Sequence, residues 1–130
     1  MSKEELQPTE AELEILQLLW EMEPATVRAI HDQLKLKKEV GYTTTLKQIQ
    51  RMHEKGMIRR TEEGRKHLYW AQLKETRVKQ SLLNRLLDTA FKGSAIELIQ
   101  HALGRTKGDQ AEMEELEKLI AKKKQERKDD

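Results

Sequence analysis

The sequence predicts a mainly α-helical protein with one small β-hairpin. Residues 8–73 read as a winged helix-turn-helix domain, and residues 74–121 as a C-terminal helical dimerisation segment. Three observations predict this. Apolar residues recur at helical spacing in three short segments before Gly56. Two strand-like runs then bracket a glycine-containing connection. Beyond it every apolar stripe has a helical period, and capping patterns separate the stripes.

The elements follow in order. Thr9-Glu10-Ala11-Glu12 is a capping box, in which the Thr hydroxyl and the Glu carboxylate each satisfy a backbone N–H at a helix start. Leu13, Leu16 and Trp20, flanked by Ile15, Leu19 and Met22, give that first helix its apolar stripe, and Pro24 ends it. A second helix starts near Thr26 with Val27, Ile30 and Leu34 inward, and the polar stretch from Lys35 to Gly41 is the turn. The third runs from about Thr43 to Lys55 with Leu46, Ile49 and Met52 inward. Gly56 occupies its C′ position, where a left-handed residue is favoured, and Met57 folds back on Met52. Ile58–Thr61 and His67–Trp70 then flank the connection Glu62–Lys66, with Gly64 supplying a positive φ.

The second half carries Val78, Leu82 and Leu86, with Leu83, Leu87, Ala90 and Phe91, up to a stop at Gly93. Ser94 to Glu97 is another capping box, opening a helix with Ile96, Ile99 and Leu103 inward that closes at Gly104. Arg105–Gly108 reads as a linker, and Asp109 caps a last helix bearing Met113, Leu116, Leu119 and Ile120. Residues 122–130 are charged and lack apolar side chains, so a disordered tail is expected there.

Composition narrows the function. Of 130 residues, 36% are hydrophobic and 37% charged, a lean supply for a monomeric core, so part of the apolar surface is expected to close against a second copy. With no cysteine, disulfides, thiolate metal sites and cysteine nucleophiles are excluded. No apolar run approaches the ~20 residues of a bilayer span, and Met1–Glu5 has no hydrophobic signal core. A cytoplasmic protein without membrane insertion is expected.

Net charge is only +2, but it is unevenly distributed. Residues 1–23 hold seven Glu and one Lys, whereas residues 24–73 hold eleven Lys and Arg against five Asp and Glu. A basic middle of that kind fits a double-stranded DNA partner. Opposite its core stripe the third helix offers Tyr42, Thr43, Thr44, Lys47, Gln48 and Arg51. Thr44, Lys47 and Gln48 are assigned to base edges, since Gln can bond adenine, and Lys guanine, through two hydrogen bonds. Tyr42, Thr43 and Arg51 are assigned to phosphates, with Arg28 as a further candidate. Arg65 and Lys66 at the hairpin tip, above Arg59 and Arg60, suit backbone or minor-groove contact.

Other chemistry finds little support. His31, His53, His67 and His101 are scattered with no metal-ligand spacing, the carboxylates fall on capping and solvent-facing positions, and no phosphate loop or nucleophile elbow occurs. No enzyme activity, cofactor or metal is therefore assigned. Two alternatives stay open: a winged-helix regulator sensing a small ligand through its helical half, and a winged-helix module binding an acidic protein.

Several motifs resemble the penicillinase and methicillin-resistance repressor (BlaI/MecI) family. They are Leu18-Leu19-Trp20, Tyr42-Thr43-Thr44-Thr45, Arg51 to Gly56, Gly64 to Tyr69, Leu86-Leu87-Asp88 and Phe91 to Ser94. The resemblance covers about residues 8–104. It implies a homodimer on a palindromic operator, repression of resistance or stress genes, intertwined C-terminal helices and, often, a membrane-bound sensor protease. In β-lactam-responsive members the protease cuts after an Asn in the second dimerisation helix. Here His101 stands at that Asn and Ala102 at the following Phe, a departure from the pattern. The tail cysteines of copper-responsive members are missing as well.

Overall fold

The computed structural model describes residues 7–105 and 109–129. The expected linker positions 106–108 and the amino-terminal residues 1–6 lie outside the described residues. Six helices and one hairpin follow in the order α1 (Glu10–Met22), α2 (Val27–Lys35), α3 (Tyr42–Glu54), β1 (Ile58–Glu63), β2 (Lys66–Ala71), α4 (Glu75–Ala90), α5 (Ala95–Arg105) and α6 (Gln110–Lys128). The chain divides into two compact units inside α4, after Asn84.

In the first unit, α1 opens with the expected capping box. Thr9 Oγ1 accepts from the Glu12 amide at 3.2 Å, and Glu12 Oε1 accepts from the Thr9 amide at 2.8 Å. Thr26 caps α2 with a single bond, its hydroxyl accepting from the Ala29 amide at 3.1 Å. At nine residues α2 is too short to persist alone, and packing of Ile30 and Leu34 holds it in place. Those two join Ile15, Leu16 and Leu19 of α1, Ile49 and Met52 of α3, and Met57, Ile58 and Tyr69 in one buried cluster.

The inner face of α3 differs slightly from expectation. Thr45, Ile49 and Met52 are buried, and Leu46 is half-buried at the cluster's edge. The spacing is therefore i, i+4, i+7, and a hydroxyl takes the first inner position because His31 supplies it with a hydrogen-bond partner at 2.9 Å. The end of α3 is a Schellman motif. Gly56 has φ 84°, its amide donates to the His53 carbonyl, and the Met57 amide reaches the Met52 carbonyl at 3.0 Å.

The hairpin strands run longer than expected and leave only Gly64 and Arg65 in the turn. Glu63 pairs with Lys66, and Ile58 with Ala71. Gly64, with φ 65°, is the first loop residue, where a two-residue hairpin turn of type II′ places glycine. Reciprocal amide bonds between Ala25 and Tyr69, of 3.1 and 2.8 Å, tie the α1–α2 connection to β2. Trp20 Nε1 donates to the Leu73 carbonyl at 3.0 Å, fixing the chain as it leaves the hairpin.

The sequence suggests a boundary at 73/74 between DNA-binding and dimerisation domains; by compactness the first ten residues of α4 group with the first unit. Val78, one of the dimerisation residues expected from the sequence, is buried within the single chain.

In the second unit α5 starts at the Ser94 cap, whose Oγ accepts from the Glu97 amide at 3.1 Å, and it continues past Gly104 to Arg105. Asp109 caps α6 through the Ala111 amide. That helix runs on through 122–128, in place of the disordered tail that the sequence predicts. Lys, Gln, Glu and Arg are strong helix formers, Lys123 pairs with Glu126, and Arg127 and Lys128 complement the negative end of the helix dipole.

Candidate nucleic-acid interface

With Thr45, Ile49 and Met52 turned inward, helical geometry directs Thr44, Lys47 and Arg51 along the opposite face, and all three are exposed. Tyr42 and Thr43 are exposed at the amino end. Gln48 is half-buried, at the margin between this face and the core rather than at its centre. Of the six α3 residues expected to face a ligand, five are exposed, and Thr43, Thr44, Lys47 and Arg51 lie opposite the inner stripe, with Tyr42 and Gln48 at its two margins.

The start of α3 differs from those of α1 and α2. Its N-cap is Gly41, which offers no side-chain acceptor, so the first amides of the helix keep their donors for an external acceptor. Phosphate oxygens are such acceptors, and the helix dipole favours them. Arg28 approaches the same place from α2, its guanidinium carbon 4.4 Å from the Tyr42 ring centroid. Arg28 also lies in the first turn of its own helix, where a cation opposes the dipole by about 0.3–1 kcal/mol. That position works against stability and favours an anionic ligand.

Behind Tyr42 stands His31, which sequence reasoning left among the scattered histidines. Its ring meets Tyr42 edge-on, with centroids 5.4 Å apart and planes at 85°. Sequence reasoning also passed over Lys35 and Lys38, which border an open depression beside Gly41 and Tyr42. Lys38 pairs with Glu14 at 2.6 Å, so its charge is partly compensated.

The wing carries Arg65 in its turn and Lys66 at the start of β2, both exposed. Lys66 faces Glu63 across the ladder, and Glu62 lies 3.5 Å from His67, which moderates the positive potential of the tip. Lower down, Arg59 stacks over its cross-strand partner Trp70 at 4.6 Å.

One ionisable group below this surface is strongly organised. Glu12 is 2% exposed, and Lys55, at the end of α3, donates to its Oε2 at 2.8 Å. Burial is the largest single influence on Glu12 and would raise its pKa. The Lys55 ammonium and the Thr9 hydrogen bonds together outweigh it and hold the carboxyl below its ordinary 4.5. The pair fixes α3 against α1.

The helices α4, α5 and α6 leave apolar side chains uncovered in the single chain. Ile96 is 72% exposed, Leu119 59%, Ile120 56% and Ile99 46%, and Leu83 and Leu86 are also exposed. Leu82, Leu87, Phe91, Leu103, Met113 and Leu116 are half-buried. Among the described residues no helix is long and apolar enough to cross a membrane, and no group of three or more His, Asp or Glu could hold a metal.

This arrangement defines a winged helix-turn-helix DNA-binding protein, with an exposed polar face on α3 and a basic wing beside it. The penicillinase repressor family matches residues 8–122, and the chain belongs to that family, whose members are transcriptional repressors and not enzymes. It is 24% identical over 113 residues to the methicillin resistance regulatory protein MecI of Staphylococcus aureus strain N315, covering 87% of this chain and 92% of that protein. It is 26% identical over 100 residues to the transcriptional regulator BlaI of Mycobacterium tuberculosis strain H37Rv, covering 75% and 72%. The PcaV transcriptional regulator from Streptomyces coelicolor, solved with its natural ligand, shares the fold at a TM-score of 0.53. It is 17% identical, covering 90% of this chain and 77% of that one.

Proposed function

We propose that the chain represses transcription as a homodimer, laying α3 of each copy in the major groove of a palindromic operator. One observation carries this reading: Thr44, Lys47 and Arg51 are exposed together on α3, next to a helix start whose amides have no side-chain cap. Thr44, Lys47 and Gln48 read base edges. Tyr42, Thr43, Arg51 and Arg28 hold phosphates, and Arg65 and Lys66 reach the flanking backbone. The uncovered apolar residues of α4, α5 and α6 support closure by a second copy, with Leu82, Leu83, Leu86, Leu87, Phe91, Ile96, Ile99, Leu103, Met113, Leu116 and Ile120 in or beside the seam. Two linked domains address half-sites one helical turn (~34 Å), or a multiple of it, apart.

By analogy with the relatives, whose names refer to methicillin resistance and to transcriptional regulation, the genes controlled serve resistance or stress. Induction by a membrane-bound sensor protease would need a cleavage pair other than Asn–Phe, because 99–102 reads Ile-Gln-His-Ala within α5.

The test is selection of duplexes from a random library by the wild-type chain, followed by binding titrations of Lys47→Ala and Gln48→Ala. Each variant is expected to lose about 1–3 kcal/mol of selective affinity while the oligomeric state stays unchanged. Full selective affinity in both variants would refute the assigned face. A wild-type chain that binds an acidic protein but selects no duplex would favour a protein-interaction module instead.

A further inference from the structure

We propose that His31 is a positioning residue for phosphate binding at the start of α3, acting through Tyr42 and Arg28. This role rests on the DNA-binding reading above and adds to it a buried support that touches no DNA.

His31 and Thr45 are both buried, at 3% and 1% exposure. The Thr45 hydroxyl shares a hydrogen bond with His31 Nδ1 at 2.9 Å and lies 3.4 Å from the Gly41 carbonyl. One end of the imidazole is thereby fixed to the first turn of α3. Its ring stands perpendicular to Tyr42, and the Tyr42 ring also carries the Arg28 guanidinium. The order of contact is Thr45, His31, Tyr42, Arg28, running from the core to the surface beside the uncapped amides of Tyr42 and Thr43. Tyr42 is 37% exposed and its hydroxyl has no hydrogen-bond partner among the described residues, so its two ring contacts are what hold it. A flat ring supported by an immobilised imidazole gives Arg28 a fixed platform. A guanidinium that is already placed loses less freedom when it meets a phosphodiester.

A leucine at 31 or a valine at 45 would fill much of the same space without the hydrogen bond. The test titrates wild type, H31L, T45V and the double variant H31L/T45V, which leaves neither partner unpaired. The probes are a duplex selected by the wild-type chain and a scrambled duplex of equal length, across a range of salt concentrations. Phosphate contacts carry no sequence information, so affinity should fall about tenfold on both duplexes. The plot of log K against log salt should become shallower by about 0.9 for each phosphate that is no longer neutralised. R28A should cost less in the H31L background than in wild type, since both changes disable the same platform.

A merely structural role would lower the active fraction and leave the slope alone. An unchanged slope in variants that are folded by circular dichroism therefore overturns the proposal, as does a full R28A effect in both backgrounds. If the single variants do not fold, the double variant carries the same test. A wild-type chain without salt-dependent duplex binding would sink the DNA reading itself, a result separate from any failure of the variants.

Discussion

The buried carboxylate of Glu12 shows how one side chain joins local and tertiary structure. It completes the cap of α1 and receives Lys55 from the end of α3. Lys55→Met leaves that charge buried without its partner and should destabilise the first unit by about 1–3 kcal/mol in urea unfolding. The sign of the pH effect follows from the lowered pKa. Glu12 contributes stability that is fully present above its unfolded value near 4.5 and is lost as pH falls through the lower folded value. The stability gap between wild type and Glu12→Gln should therefore be widest above about pH 5 and shrink on acidification; a gap that widened instead would contradict the pairing. Gly56 is a second residue-scale test. A Cβ there meets nothing within 4 Å, so Gly56→Ala incurs only the cost of a left-handed backbone, about 1 kcal/mol. A much larger loss would mean that the end of α3 is packed more tightly than its geometry shows.

At the scale of elements, whatever depends on local pattern is legible in the sequence. The capping box at Thr9, the Ser94 hydroxyl cap, the Schellman end at Gly56 and the hairpin around Gly64 depend on backbone donors, acceptors and φ values that neighbouring residues determine. The exposed face of α3 is legible too, because its inner stripe defines its opposite. What stays hidden depends on partners distant along the chain. Thr45 looks like a surface threonine until His31, fourteen residues earlier, packs against it. Val78 reads as an exposed apolar position of a helical stripe, yet it is buried within the single chain. The helix through 122–128 is hidden for a different reason, since charged residues suit both a solvated helix and a disordered tail. For the wing, removing both Arg65 and Lys66 should weaken binding to all duplexes alike and lower the salt slope by up to about 1.8. The Glu63 beside Lys66 makes Arg65 the larger contributor of the two. Variant-specific salt titrations would separate them.

At the scale of the whole molecule, the division of labour follows the distribution of charge and burial. The basic middle of the sequence folds into the unit with the dense core, while the second unit keeps Ile96, Leu119 and Ile120 more than half exposed. Covering such side chains gains about 25 cal/mol per Å² of apolar surface, which is a sufficient motive for self-association. Leu86→Asp should place a charge in the proposed seam and yield monomers by sedimentation equilibrium. The monomer should keep the secondary structure of the first unit but bind operator far more weakly, because a single domain engages only one half-site at a time. A Leu86→Asp protein that remains dimeric would remove α4 from the seam.

Amide chemical-shift mapping tests most directly whether the exposed face of α3 meets a duplex groove. Titrating the labelled wild-type chain with a duplex that it has itself selected should move the amides of Tyr42 to Arg51 and of Gly64 to Lys66 most strongly. Shifts confined to α5 and α6, with α3 unmoved at saturation, would contradict it.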